Sequence, residues 1–167
     1  MTDLPPDRPA GLDHAALMRR AIALSREHMR AGHGGPFGAV IARDGRVLAE
    51  GWNQVTGAND PTAHAEIVAI RRAATALGRF DLRGCVLYTS CEPCPMCLAA
   101  AYWARLDALY FANTREDAAA IGFDDDFLYR EVALAPASRS LKCEALLREE
   151  AWPVFQEWER KEDKVPY

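Results

Sequence analysis

The chain has no apolar run approaching the ~20 residues that a membrane-spanning helix requires. Nor does it open with the basic-then-apolar order of a secretory signal. Its first residues, "MTDLPPDRPAG", carry three prolines and scattered charges and read as a disordered leader over 1–11. Internal repeats and a linker that would split the chain are also lacking, which predicts one globular domain over 12–167. Basic excess is absent: 20 Lys and Arg stand against 24 Asp and Glu, a net charge of −4, and the basic residues are scattered and offset by acids. That argues against a polyphosphate partner, so no nucleic acid is expected. Cysteine is scarce, with five in 167 residues, an odd number. A cytoplasmic location, where thiols stay reduced, makes clustered cysteines a sign of metal or catalysis rather than disulfides.

What is present is an alternation of helix and strand signals. Residues 13–31 carry an apolar stripe with Asp13 as cap and Gly32 as stop, which predicts a helix. "FGAVIARDGRVLAEGW" reads as two strands around an Asp44-Gly45 turn. "DPTAHAEIVAIRRAATALG" reads as a second helix with Asp60 and Pro61 at its mouth and Gly78 past its end. "CVLYTS" (85–90) is a buried strand, Pro95 opens a third helix, and 106–112 forms another strand before a helical stretch to Gly122. Residues 141–150 fit a strand or a helix equally. The pattern predicts an α/β sandwich in which the first hairpin is antiparallel and the remaining strands largely parallel. Both metal-suspect segments fall at strand-to-helix transitions, where such sheets keep their sites.

Three of the five cysteines sit in "CEPCPMC" (91–97). Cys94 and Cys97 are three apart at a helix start, so their sulfurs share a face, and the positive end of the helix favours thiolates. Among the four histidines, His14 and His28 lie on the first helix among charges and read as surface groups, and His33 lies in a glycine loop. His64 differs, opening a helix with Glu66 two residues on. Residues two apart share no face of a regular helix, so the pair converges only if His64 stands in the first turn, before the backbone is helical. A carboxylate beside a zinc-bound water is what hydrolysis needs, because zinc lowers the water's pKa toward ~7 and the carboxylate carries the proton. The ordinary alternative for Glu66 is an acid favouring the helix dipole.

Together the pieces read H-x-E (64–66) followed by P-C-x-x-C (93–97), which resembles the signature of the zinc-dependent nucleobase deaminases. On that pattern His64, Cys94 and Cys97 hold one Zn2+ per subunit, Glu66 is the catalytic acid/base, and Cys91 is extra. A closed Cys3His structural site that also uses Cys91, giving a zinc module without catalysis, remains open, as does a redox C-x-x-C. Phe37, Trp103 and Phe123 lie near the loops at the active edge and could stack on a flat base; core packing is the competing reading.

The likeness extends beyond this motif. "GGPFGAVI" (34–41), "NDPTAHAE" (59–66), "YTSCEPCPMC" (88–97), "YWAR" (102–105), "GFDDDF" (122–127) and the terminal Tyr167 resemble the bacterial guanine deaminases of the cytidine deaminase superfamily. The resemblance implies a three-layer α/β/α fold with a mixed sheet of about five strands, and hydrolysis of guanine to xanthine and ammonia. It implies that Asn53 hydrogen-bonds the base, that Phe37 lines the pocket, and that Asp125, flanked by the acids Asp124 and Asp126, holds the purine edge or helps to pass protons. It also implies a homodimer that exchanges C-terminal segments, with Tyr167 reaching a neighbour's pocket. Deamination of tRNA adenosine, cytosine, guanosine or an aminotriazine is the alternative within the same fold.

Overall fold

A computed structural model describes residues 13–167; the leader expected over 1–11 lies outside the described residues. The chain divides into two units, one ending at Asp125 and one spanning Asp126–Tyr167.

The first unit is built around four strands in the order β2-β1-β3-β4. Helix α1 (His14–Arg30) begins where the Asp13 carboxylate accepts the Ala16 N–H, satisfying one of the donors that a helix start leaves unpaired. Strands β1 (Gly38–Arg43) and β2 (Arg46–Trp52) form the hairpin that Asp44-Gly45 announces. Both turn residues have positive φ, 49° and 77°, as a two-residue hairpin turn with the right twist demands. A short helix α2 (Val55–Ala58) follows, then α3 (Ala65–Leu77), which ends on Gly78 at φ 63°. Strand β3 (Cys85–Cys91) leads into α4 (Pro95–Trp103), and β4 (Ala108–Asn113) leads into α5 (Arg115–Ala120). Thr114 and Asp117 close a reciprocal capping box at the start of α5.

Two expectations need correction. First, β3 runs antiparallel to its neighbour β1, and only the β3–β4 pair is parallel. The crossover through α3 makes β3 parallel to β2, as the alternating pattern suggested, but carries it past β2 to the far side of β1. Second, the described residues hold four strands rather than about five. The segment that could have supplied another, 141–147, is irregular and enters a helix at Arg148.

Side chains of β3 alternate between two cores. Cys85 and Leu87 pack with Ile41, Ala65, Ala69 and Leu82 on the face toward α3, while Val86 and Tyr88 pack with Leu17, Ala21 and Leu24 of α1 on the other. Each fully buried Leu or Ile contributes roughly 1.5–3 kcal/mol. The same alternation turns Thr89 and Cys91 toward the α3 face. Helices approach the sheet closely at two glycines. A methyl on Gly51 would lie 2.2 Å from the Ala65 carbonyl of α3, and one on Gly38 would lie 2.4 Å from the Ala21 carbonyl of α1. The missing side chains seat both helices directly on the strands.

The second unit carries α6 (Asp126–Ala133), a single 3-10 turn, and α7 (Arg148–Arg160), with Pro153 inside α7. Arg130 pairs with Asp126 along α6, and Glu131 accepts from both the backbone and the hydroxyl of Ser140. Neither helix has a buried residue, although α7 alone carries Trp152, Phe155 and Trp158. Among the described residues, no helix is long and apolar enough to cross a membrane.

Candidate metal and catalytic site

Two helix starts supply the ligands. His64 and Cys94 are the N-cap residues of α3 and α4, both with extended backbone (φ −67°, ψ 155° and φ −66°, ψ 167°). An N-cap lies outside the helical repeat, which is how His64 and Glu66 come to face the same space. His64 Nδ1 lies 3.6 Å from Cys94 Sγ and 3.5 Å from Cys97 Sγ, and the ligand atoms of all three fall within 4.8 Å of one another. Two atoms bound tetrahedrally to one zinc, at ordinary Zn–N and Zn–S lengths, stand about 3.5 Å apart. The donor set and spacing therefore fit zinc, with three protein ligands and a fourth position left to solvent or substrate.

Electrostatics supports the same fit. Hydrogen bonding from Cys97, aided by His64, holds the Cys94 thiol down at about 4. The reciprocal bond and burial push Cys97 far up. Metal-ligating sulfurs are thiolates, so a divalent cation bound here would release the remaining thiol proton. His64 is raised, chiefly by its hydrogen bond with Cys94. Cys91 behaves differently. Burial lifts it to about 11, and its thiol donates to the Thr114 carbonyl at 3.6 Å. It lines the adjoining cavity as a neutral group and stands outside the ligand cluster.

Glu66, on the first turn of α3, is only 6% exposed. Burial raises its carboxyl above the usual range. Its Oε1 accepts from Thr89 Oγ1 at 3.2 Å, and its Oε2 accepts from Cys97 Sγ at 3.5 Å. A cavity of about 480 Å3 opens over these groups, lined by Phe37, Asn53, His64, Glu66, Cys94, Phe123 and Asp125. That is the size of a small-molecule site. Phe37 and Phe123 meet edge to face at 4.9 Å, forming an aromatic wall. Asn53 Oδ1 accepts the backbone N–H of Gly35 and of Val55, both at 3.2 Å, which leaves its amide hydrogens for a ligand. Asp125 is raised by burial.

Not every sequence candidate gathers here. Trp103, at the end of α4, is 65% exposed and does not line the cavity. Tyr167 belongs to the second unit and is exposed. Of the other histidines, His14 hydrogen-bonds the Tyr88 hydroxyl at 2.8 Å, while His28 stacks on Trp52 and pairs with His33. Sequence reasoning missed Thr89 and the cavity-lining Val55, Thr56, Pro61 and Glu92. Thr89 had one available signal: a hydroxyl in an otherwise apolar buried strand running into the cysteine cluster.

Residues 12–113 match the family model described as the cytidine and deoxycytidylate deaminase zinc-binding region. The chain belongs to this family. Among curated relatives, guanine deaminase of Bacillus subtilis (strain 168) is 48% identical over 156 residues, covering 93% of this chain and 100% of the relative. The X-ray structure of guanine deaminase from Bacillus subtilis superposes with a TM-score of 0.89 at 49% identity, covering 93% of this chain and 99% of that one. A tRNA-specific adenosine deaminase of Agrobacterium fabrum is 51% identical, but only over 76 residues, 46% of this chain and 50% of the relative. Zinc is accordingly the metal of this family's site, and His64, Cys94 and Cys97 are the group that could hold one ion here.

Proposed function

We propose that the chain hydrolyses guanine to xanthine and ammonia. The observation that carries this reading is the likeness to a guanine deaminase along that relative's whole length, tail included, whereas the likeness to a tRNA deaminase spans half of it. Bound zinc supplies Lewis acidity that lets water give up a proton near neutral pH. Asn53 donates its amide hydrogens to an acceptor on the purine, and Phe37 and Phe123 hold the flat ring between the aromatic wall and the metal side. Glu66 takes a proton from the attacking water and returns it to the ring nitrogen. A second proton from the same water leaves with the amine, so guanine and water are converted to xanthine and ammonia. Asp125 binds the purine edge at the cavity mouth. The enzyme acts in the cytoplasm on a free base; a net charge of −4 gives it little attraction for a phosphate backbone.

The deciding experiment is one ammonia-release assay across guanine, guanosine, cytosine, adenine, ammeline and tRNA. Guanine is expected to be turned over fastest. Preference for cytosine or tRNA would overturn the substrate while sparing the zinc chemistry. No release from any substrate would favour a structural zinc module.

The reading extends to the tail. The chain works as a homodimer whose C-terminal segments are exchanged, Tyr167 completing the partner's pocket. Residues 126–167 support this: Phe127, Leu128, Trp152, Phe155 and Trp158 are all between 42% and 68% exposed, more apolar surface than a helix pair leaves to water without a partner. Glu66→Gln and a chain lacking Tyr167, unfolded and refolded together, are expected to regain activity above either parent. In the mixed dimer one site inherits Glu66 and Tyr167 intact. No rescue, with mixed dimers verified by mass, would mean that each tail serves its own chain.

A further inference from the structure

The face of β3 turned toward α3 carries one hydroxyl among apolar neighbours. Thr89 is 1% exposed, and its strand neighbours on the same face, Leu87 and Cys91, are apolar and buried. A valine has the same shape and would leave no hydrogen-bonding group to satisfy. The hydroxyl donates to Glu66 Oε1 at 3.2 Å. A carboxylate can only accept, so the direction of that bond is settled whenever Glu66 is ionised. Oε2 is turned the other way, 3.5 Å from the Sγ of the metal ligand Cys97.

From this geometry we infer that Thr89 is a positioning residue that anchors Oε1 of Glu66 and so dedicates Oε2 to proton transfer at the metal side of the cavity. The inference rests on the reading of Glu66 as the proton carrier. The β-branched threonine on a central strand has few χ1 choices, so its hydroxyl is a rigid post. Glu66 has three rotatable bonds on the first turn of a helix; its carboxylate also meets its own backbone N–H and Cys97 Sγ, but the Thr89 hydroxyl is the contact that reaches it from the sheet. The bond to Thr89 keeps Oε1 toward the sheet and so favours the orientation that leaves Oε2 beside the ligand cluster. Without the hydroxyl, a buried oxygen loses a partner and the carboxylate spends less time with Oε2 beside the ligand cluster. The contact joins residues 23 apart in sequence, so it also ties the proton carrier on α3 to the sheet rather than to its own helix.

The test uses the full-length, zinc-loaded chain with guanine as substrate. Thr89→Val is expected to lower kcat about tenfold to a hundredfold, with KM within about twofold of wild type and zinc still at one per chain. Thr89→Ser, which restores the hydroxyl, recovers most of that loss. In a Glu66→Gln background, Thr89→Val is expected to change kcat by less than about twofold, because a positioning residue has no effect once its client is gone. Should valine prevent folding, Thr89→Ala repeats the comparison without adding a contact. Full kcat in Thr89→Val or Thr89→Ala overturns the inference. So does an equal loss in the Glu66→Gln background, loss of zinc alongside kcat, or failure of serine to rescue, all of which mark simple packing. An unimpaired Glu66→Gln single variant would instead remove the proton-carrier reading itself, and the inference with it.

Discussion

Replacing Glu66 by glutamine should leave a protein that folds, retains zinc and binds guanine, yet turns it over about a hundredfold to ten-thousandfold more slowly. Glutamine keeps the length and shape of the side chain, and its amide oxygen can still accept from the Thr89 hydroxyl. It cannot take up a proton and give it back. Burial sharpens the difference. At 6% exposure the carboxylate is held in a poorly hydrated place that raises its affinity for a proton, the adjustment a general base working near neutral pH requires. Steady-state kinetics together with metal analysis and guanine titration of the variant separate the three properties. Turnover near that of wild type would assign the proton work elsewhere. Asp125, which also lines the cavity and is also raised by burial, would be examined next.

Removing a metal ligand should have the largest effect of any single change. Cys94→Ser is expected to bind far less than one zinc per chain, to lose turnover altogether, and to melt at a lower temperature than the zinc-bound parent. The melting shift arises because the ion binds the folded chain and not the unfolded one. It also joins the starts of α3 and α4, which otherwise meet through a small cluster of Ile67, Cys94 and Cys97. Cys91→Ser is the counterpart. Its thiol is neutral and points to the Thr114 carbonyl, so zinc should remain at one per chain. Metal analysis of both purified variants checks the pair. Loss of zinc from Cys91→Ser would indicate a closed Cys3His site and a structural role.

Features set by neighbours in sequence were legible before the structure. The cap at Asp13, the Asp44-Gly45 turn, the Gly78 stop and the placement of His64 outside the regular helix each depend on a few adjacent residues. The spacing of Cys94 and Cys97 is local too. What depends on pairing across the chain was not legible. The orientation of β3 against β1 follows from where a crossover lands, and the periodicity of residues 141–147 fits either regular state although they adopt neither. Thr89 went unnoticed for the same reason, since its partner lies 23 residues away. Trp103 is near the cysteines in sequence but is not among the residues that line the cavity. A helix of nine residues carries its far end well away from its start.

Gly38 and Gly51 let helix backbone come directly against strand backbone, beside the side-chain cores. A spacing limited by backbone contact changes little when leucines and valines elsewhere are exchanged for other apolar residues of similar bulk. Sequence drift in the two cores therefore alters the margin of stability before it alters the position of His64 and Glu66 relative to Asn53. Homologous chains can diverge through most of their interior and still present the same constellation to a substrate, provided those two positions stay bare.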